Sequence, residues 1–255
     1  MNLSQHAGRL ILPLFALLIL TFFAACDKED ASPNPDYLPE VGNHAVSFTH
    51  KFNPADYEEG KRIVVEEFSV AIENSGQVRR TYFMSNPDSA EVYAISFFHA
   101  NSSTSEWLNS EERDAVLQKL YPLYREPLLV ESYTTGLIHD THFSEDSPEY
   151  LPEPGDEVVV YNGFFTADTY DAAVDIVTND IPAAVENSGQ KRRSYHTLNP
   201  DLYEVLSLSF FHPTSSLEEW AQDQGCQILA DSLSQLATGP ITAHRYTLEL
   251  AHTAN

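Results

Sequence analysis

The chain has 255 residues and a formal net charge of −24, because 38 acidic side chains outnumber 14 Lys and Arg residues. A surface this acidic repels nucleic acid, and no basic stripe in the sequence offsets that repulsion. With only two cysteines, the chain cannot be a disulfide scaffold, but it is long enough to bury a core without covalent bridges.

The N-terminal segment has the pattern of an export signal. Arg9 precedes an apolar run that ends at Cys26, and "FAAC" (Phe23–Cys26) places small residues directly before that cysteine. The motif resembles the lipobox of bacterial lipoproteins, which implies that residues 1–25 are a signal peptide and that Cys26 is the lipidated mature N-terminus. A plain signal anchor is the alternative interpretation. Acyl chains on one cysteine would give stable anchoring to a bilayer.

An acidic segment follows Cys26. "DKED" (Asp27–Asp30) resembles the post-cysteine signal of surface-exposed lipoproteins in the Bacteroidetes. We therefore expect residues 26–34 to be an acidic tether and the protein to lie in the bacterial cell envelope. It would be an outer membrane lipoprotein, periplasmic or surface-exposed, that contacts the membrane through its lipid anchor only. Cys226 then lacks a disulfide partner within the chain, and we interpret it as a small helix-packing residue.

The rest of the chain repeats itself at an offset of 113 residues. "ENSGQ" occurs at Glu73–Gln77 and again at Glu186–Gln190, and "SFFH" occurs at Ser96–His99 and at Ser209–His212. Such gapless self-similarity predicts two copies of one domain, most simply arranged as a pseudo-dimer. The predicted divisions are a first repeat at 35–142, a linker at 143–147 and a second repeat at 148–255.

Each copy is predicted to fold as strand, helix, strand, strand, helix, strand. Residues 44–52 and 157–165 are rich in β-branched and aromatic side chains and predict the first strands. Residues 90–98 and 203–211 have apolar side chains on both alternations, which indicates a sheet covered on both faces. The last strands are predicted within 127–138 and 240–251.

Several motifs have structural explanations. Gly76 and Gly189, within "ENSGQ", fall just past a predicted helix, where a left-handed residue favours glycine. "NPD" is typical of a turn between strands. Ser103 and Ser216 each precede a glutamate by three residues, which predicts a capping box at the start of the second helix.

The βαββαβ order, the Trp-bearing second helix and the "P…Y" last strand resemble the antibiotic biosynthesis monooxygenase family. The resemblance implies an α+β protein in which two tandem ferredoxin-like repeats pair their sheets face to face as an intrachain, pseudo-dimeric α+β barrel. The chain would then be monomeric. The family includes cofactor-free oxygenases of aromatic substrates and haem-degrading enzymes.

The haem-degrading members carry an Asn, a Trp and a ligating His. Asn162, Trp220 and Trp107 match the first two of these positions. The His position is Leu117 in one copy and Leu229 in the other, and Thr49 replaces the Asn in the first copy. Ser96 and Ser209 stand where many members have an acidic residue. We therefore expect no cofactor, and the ten histidines show no spacing that predicts a metal site.

His99 and His212 end the third strand of each copy and are the candidate catalytic residues, since a histidine could act as a base toward a phenolic substrate. The alternative is a histidine that hydrogen-bonds to the N-terminus of the next helix. Trp107 and Trp220 are candidate pocket residues, although a core anchor is the simpler interpretation.

Arginine pairs stand at the start of the second strand in both copies. Consecutive side chains of a strand point to opposite faces, so one arginine of each pair faces a covered side and needs a carboxylate. That carboxylate would come from Glu91 or Glu204, or from a ligand. The candidate ligand-binding set is Arg80, Arg193, Tyr82, Tyr195, Trp107, Trp220 and Asn162.

Two functions from different classes remain open. The first is a cell-envelope lipoprotein that binds a small hydrophobic or aromatic ligand, with cofactor-independent oxygenation as the activity that the resemblance implies. The alternative is a non-catalytic envelope module that binds a partner protein. The sequence does not decide whether the protein is an enzyme. A cavity of roughly 300 Å³ or more would favour the ligand-binding function.

Overall fold

The computed structural model describes residues 37–141 and 150–254, which are called the first half and the second half below. The predicted signal peptide, Cys26, the acidic tether and the linker at 143–147 lie outside these ranges. Within them, no helix is both long and apolar enough to cross a membrane.

The elements follow the predicted order in both halves. The first half contains β1 (His44–Lys51), α1 (Tyr57–Arg62), α2 (Phe68–Asn74), β2 (Arg79–Asn86), β3 (Glu91–Phe98), α3 (Thr104–Leu108), α4 (Glu111–Leu120) and β4 (Leu129–Asp140). The second half contains β5 (Glu157–Phe164), α5 (Tyr170–Asp175), α6 (Ile181–Ser188), β6 (Arg192–Asn199), β7 (Glu204–Phe211), α7 (Leu217–Gln222), α8 (Gln224–Leu236) and β8 (Thr242–Ala254).

The strands of the two halves form one closed antiparallel barrel in the order β1-β3-β2-β8-β5-β7-β6-β4. Each half supplies four adjacent strands, and β2 with β8 and β4 with β6 close the barrel between them. Every residue of β3 and β7 is buried, which confirms the prediction of a sheet covered on both faces. The α+β class and the barrel are confirmed.

Strand alternation divides the core into two layers. One face of the strands fills the barrel interior with aromatic and aliphatic side chains, including Tyr82, Phe97, Tyr195 and Phe210. The other face packs against the helices of each half. Any space between helices and sheet is therefore separate from the barrel interior.

"ENSGQ" covers the end of α2 in the first half and of α6 in the second, and leads into the next strand. Gly76 and Gly189 adopt the expected left-handed conformation, with φ of 64° and 71°. The side-chain carbonyls of Gln77 and Gln190 then accept the backbone N–H groups of Ser103 and Ser216, at 2.6 and 2.7 Å. This motif is thus a structural clamp that holds the N-terminus of the next helix.

The second helical segment is broken in both halves, whereas the sequence predicts one helix. The predicted caps are present, since Ser103 and Ser216 accept the backbone N–H of Glu106 and Glu219. A second cap follows within each segment. Ser110 starts α4 and Asp223 starts α8 by the same type of bond, and a side-chain cap at these positions ends the preceding helix.

Both halves also contain a π-helical turn inside the first helical segment. It covers Ile63–Glu67 in the first half and Ile176–Asp180 in the second. A π turn adds one residue per turn and so rotates the side chains that follow it. In the second half, the rotated residues at the start of α6 face the sheet beside a cavity.

Candidate functional site

A cavity of about 240 Å³ lies between the helices and the outer face of the barrel in the second half. α6 and α8 form its walls, Trp220 of α7 closes one side, and β5, β6 and β7 form its floor. The lining residues are Tyr161, Ile181, Ala184, Val185, Arg192, His196, Ser207, Ser209, Trp220, Cys226, Leu229, Ala230, Leu233, Ser234, Ile241 and Ala243. The walls are mostly apolar and the floor is polar, as is typical of a ligand site.

Arg192 supplies the charge of the floor. Its side chain is only 1% exposed, and its Nη1 donates a hydrogen bond to Ser209 Oγ at 2.9 Å. The guanidinium carbon lies 4.7 Å from the centre of the Trp220 ring, a distance suited to a cation–π interaction. Burial lowers the pKa of Arg192 to about 10, so the group remains a cation at neutral pH.

His196 lies four residues after Arg192, on the same face of β6. Its Nδ1 is within hydrogen-bonding distance of Ser207 Oγ, at 2.8 Å, and its Nε2 is buried with no hydrogen-bond partner among the described residues. Burial, and then the positive charge of Arg192, lower the pKa of His196 to about 3. The imidazole is therefore neutral at physiological pH.

Cys226 faces the cavity from the first turn of α8. It is buried, and burial raises the pKa of its thiol to about 11, so the thiol is protonated and unreactive at neutral pH. Ser234 and Ala243, at the far end of the lining, are exposed. The cavity therefore opens to the surface between the end of α8 and the start of β8.

The equivalent space in the first half measures only about 20 Å³. Larger side chains at positions 113 residues earlier fill it: Phe68 in place of Ile181, Phe83 in place of His196, Arg113 in place of Cys226 and Leu117 in place of Ala230. Phe68, Phe83 and Leu117 are packed in the core. The first-half equivalents of several cavity residues, including Arg113 and Leu117, line an open surface groove of about 590 Å³ that contains no residue of β2 or β3. Within the described residues, a sizeable space that reaches the strand floor is therefore found in the second half.

The two predicted catalytic histidines lie outside the cavity. Nδ1 of each accepts the backbone N–H of the residue two positions later, His99 from Asn101 and His212 from Thr214, both at 3.2 Å. Each ring also packs edge-on against a buried tyrosine, Tyr37 or Tyr150. Each histidine thus orders the loop before the next helix, whereas the structural alternative placed its hydrogen bond at the helix N-terminus, which begins only at Thr104 or Leu217.

Four other predicted residues point into the barrel. Tyr82 and Tyr195 meet there, with their phenolic oxygens 2.6 Å apart. Nη1 of Arg80 donates to Thr253 Oγ1 at 2.7 Å, and Arg193 forms an ion pair with Asp140 at 3.1 Å. These residues tie the two halves together and do not line the cavity.

Asn162 lies near one end of the barrel interior, where its Nδ2 donates to Glu204 at 2.7 Å. Tyr133 donates to the same carboxylate at 2.9 Å, and Tyr246 donates to Glu91. The expectation that Glu91 and Glu204 pair with the strand arginines is therefore wrong. Burial raises the pKa of Glu204, whose Oε1 accepts both hydrogen bonds while Oε2 is buried without a partner among the described residues.

The two tryptophans differ although both lie in the helix-facing layer. Trp107 is 2% exposed and packs under the guanidinium of Arg79, whose carbon lies 3.7 Å from the ring centre. Trp220 is partly exposed and lines the cavity. Trp220 is the one predicted ligand-binding residue that lines the cavity of the second half.

The sequence analysis did not identify Arg192, His196, Ser207 or Ser209 as lining residues. A signal for two of them existed in the alignment of the two halves, because the second half has His196 where the first has Phe83 and Ser207 where it has Ala94. A polar residue that replaces an apolar one on a covered face requires a partner. Arg192 and Ser209 are identical to their first-half equivalents, Arg79 and Ser96, so the same comparison gives no signal for them.

Comparison with known proteins gives similarity at the level of fold. No family model and no curated protein matches the sequence. Among solved structures, an anthrone oxidase-like protein is 14% identical, with a TM-score of 0.63 over 85% of this chain and 95% of its own. A proposed monooxygenase from Lactobacillus acidophilus is 8% identical, with a TM-score of 0.58 over 83% and 96%.

A further proposed monooxygenase, from Fusobacterium nucleatum, is 8% identical, with a TM-score of 0.59 over 84% of this chain and 95% of its own. The chain therefore has the fold of monooxygenase-like α+β barrel proteins. At such low identity these likenesses define the fold alone, and function has to be argued from the chain's own residues.

Proposed function

We propose that the protein binds one small, largely apolar, ring-containing molecule in the cavity of the second half. The observation that carries the proposal is the difference between the halves beside the strand floor, about 240 Å³ of space against about 20 Å³. The larger space is below the roughly 300 Å³ expected above for a ligand site, but an engineered cavity of about 150 Å³ with apolar walls is enough to hold benzene. The space in the second half therefore suits a substituted ring or a fused pair of rings.

The chemistry of the cavity favours an occupant with one polar end. The helices contribute side chains such as Val185, Leu229 and Leu233, which offer an apolar surface to a ring. The floor contributes the Arg192 cation, a neutral imidazole and two serine hydroxyls. A ligand that placed its polar group on the floor and its ring between α6 and α8 would satisfy both surfaces.

Cofactor-independent oxygenation remains the activity that the fold resemblance suggests, but binding has the stronger support. A general base is most effective when its pKa lies near the working pH. His196 is the histidine that lines the cavity, and a pKa of about 3 makes it a weak base. His99 and His212 are oriented by backbone hydrogen bonds away from the lining set.

We also propose that the two halves are tandem ferredoxin-like repeats that replace the two subunits of a dimeric α+β barrel. The four-strand orders β4-β1-β3-β2 and β8-β5-β7-β6 support this proposal. The envelope location, with lipidation at Cys26, is proposed on the sequence motif alone. Such an anchor would hold the ligand-binding domain at a membrane surface.

A graft of first-half residues into the cavity tests the binding proposal. The variant Ile181→Phe/His196→Phe/Ala230→Leu introduces the side chains that fill the first half, and Gln235→Leu, on an exposed position of α8, serves as the matched control. Calorimetric titration with neutral two-ring compounds, such as 2-naphthamide, should give saturable binding to the wild type and the control.

The grafted variant should show no binding while retaining the wild-type circular dichroism spectrum. Equal binding to the graft and the wild type would move the site elsewhere and overturn the proposal. Oxygen uptake with a panel of phenols and quinols, measured on the same three proteins, tests the oxygenase activity. Turnover in the wild type that the graft loses would assign catalysis to this cavity.

A further inference from the structure

Arg192 is a buried cation with no carboxylate partner. No ion pair to it occurs among residues 37–141 and 150–254. The groups that interact with its charge most strongly are Cys226 and Tyr161, which are neutral at physiological pH. A buried cation without a counter-charge is costly, and an anion delivered by a ligand would remove that cost.

Arg79 shows that a buried arginine alone is not sufficient evidence. It occupies the equivalent position in the first half, is fully buried, and has no hydrogen-bond partner on any of its three side-chain nitrogens. There, however, the guanidinium carbon lies over the Trp107 ring, 3.7 Å from the ring centre. Only about 20 Å³ of space lies between helices and sheet beside Trp107. What distinguishes Arg192 is that the same cation lines a cavity of ligand size.

The Arg192 guanidinium has one nitrogen available to a ligand. Nη1 donates to Ser209, and Nε is buried without a partner and closed to the cavity. Nη2 has no acceptor among the described residues and is not one of the closed-off atoms. A carboxylate oxygen at Nη2 would form a charge-assisted hydrogen bond and supply the missing counter-charge, whereas a phenol or amide oxygen would supply only the hydrogen bond.

The surroundings limit the ligand to one negative charge. Arg192 is the sole cationic side chain among the lining residues, because His196 is neutral, and the chain as a whole carries a net charge of −24. A dianion such as a phosphate monoester would leave one charge uncompensated in an apolar cavity. The apolar walls require the rest of the molecule to be a hydrocarbon ring system.

We infer that the ligand is an aromatic or alicyclic monocarboxylic acid, bound as its anion with the carboxylate at Nη2 of Arg192. The inference rests on the proposed function, since it names the class of molecule that occupies the same cavity. It also gives the second-half arginine a role that the first-half arginine lacks. Arg192 is then the residue that determines specificity.

The test compares three probes of nearly the same shape by calorimetry at neutral pH: 2-naphthoate, 2-naphthamide and 2-naphthol. For the wild type, 2-naphthoate should bind at least about tenfold more tightly than either neutral probe, as expected for charge-assisted hydrogen bonds. Arg192→Met should bring the three affinities close together. Arg192→Lys keeps the charge on a side chain that reaches Nη2's position less well and should show an intermediate preference.

Arg79→Met is the matched control, because it removes the equivalent cation from the half without the cavity and should keep the full preference for the acid. Equal affinity of the wild type for acid and amide would overturn the inference while leaving the proposed function intact. The same conclusion follows if 2-naphthol matches 2-naphthoate or if Arg192→Met retains the preference. Absence of binding by all three probes would instead contradict the proposed function, and the inference would fall with it. The wild-type ratio decides the matter even if a variant does not fold.

Discussion

The phenolic oxygens of Tyr82 and Tyr195 lie 2.6 Å apart in the centre of the barrel, and the two residues are separated by the repeat offset of 113. Both side chains are fully buried. Burial and the neighbouring phenol raise the pKa of Tyr195 well above its usual value, so the Tyr195 hydroxyl stays protonated. The contact joins equivalent positions of the two halves at the point where they face each other.

Tyr82→Phe should destabilise the protein by about 1–3 kcal/mol, because it leaves the Tyr195 hydroxyl buried without its partner. Tyr195→Phe should have a similar effect. The double variant should cost less than the sum of the two, by about 1 kcal/mol, since no polar group then remains unpaired. Urea unfolding followed by circular dichroism measures all four proteins. Strict additivity would mean that the hydroxyls do not interact in solution.

The pH dependence of stability should carry the signature of His196. Its pKa falls from the ordinary 6.5 to about 3 on folding, through burial and the charges of Arg192 and His139. Between those two values the unfolded chain binds a proton that the folded chain does not. Stability is therefore fully present above about pH 6.5 and is lost as the pH falls toward 3, with a limiting slope of about 1.4 kcal/mol per pH unit.

Between about pH 3 and pH 6.5, His196→Phe should reduce the slope of the unfolding free energy against pH by up to about 1.4 kcal/mol per pH unit. Unfolding free energies measured from pH 4 to pH 8 for the variant and the wild type give the difference directly, and other titrating groups cancel in it. His50, in the first half, also has its pKa lowered to about 3 by burial and by Arg113, so it contributes the same trend to both proteins. An unchanged slope would show that His196 is solvated in the folded state.

The thiol of Cys226 should report occupation of the cavity. Its pKa rises to about 11 from 9.0, which lowers the thiolate fraction about 100-fold at neutral pH. In a Cys26→Ser background, a disulfide reagent should therefore react far more slowly with the native than with the unfolded protein. Bound 2-naphthoate should slow the reaction further. Reaction at the unfolded rate would place the thiol in solvent rather than in the cavity lining.

Lipidation should depend on Cys26. Cells that express the full chain and are fed a labelled fatty acid should incorporate the label into the wild type and into Cys226→Ala, but not into Cys26→Ala. The reason is that thioether-linked acylation requires the cysteine at the end of the "FAAC" motif. Persistent labelling and membrane retention of Cys26→Ala would exclude the lipoprotein assignment.

The fold could be predicted from the sequence because the repeat tests each assignment twice. The predictions that agree with the structure include the strands that start at His44 and Glu157 and the left-handed glycines. The serine caps at Ser103 and Ser216 agree as well. The break before Ser110 and Asp223 was missed, since a single polar residue inside an apolar period resembles an exposed helix position. Only the hydrogen bonds reveal it as a cap.

The site was harder to predict because the candidate residues were chosen among reactive or aromatic side chains that occur at equivalent positions of both halves. The shared residues, such as His99 with His212 and Tyr82 with Tyr195, serve the architecture that the halves have in common. The cavity depends instead on positions where the halves differ, as at His196 and Phe83. The strand register decides which arginine of each pair faces the helices. The sequence alone does not give that register, and the predicted binding residue was Arg193, whereas Arg192 is the one that lines the cavity.

The central claim is that the second half binds a small ring-containing ligand between helices and sheet, and that the first half does not. The chain has two tryptophans, one beside each equivalent space, so 5-fluorotryptophan labelling gives one ¹⁹F resonance for Trp107 and one for Trp220. Single Trp→Phe variants assign them. On titration with 2-naphthoate or 2-naphthamide, the Trp220 resonance should shift saturably while that of Trp107 stays in place. Two resonances that remain fixed, or that move together, would contradict the account.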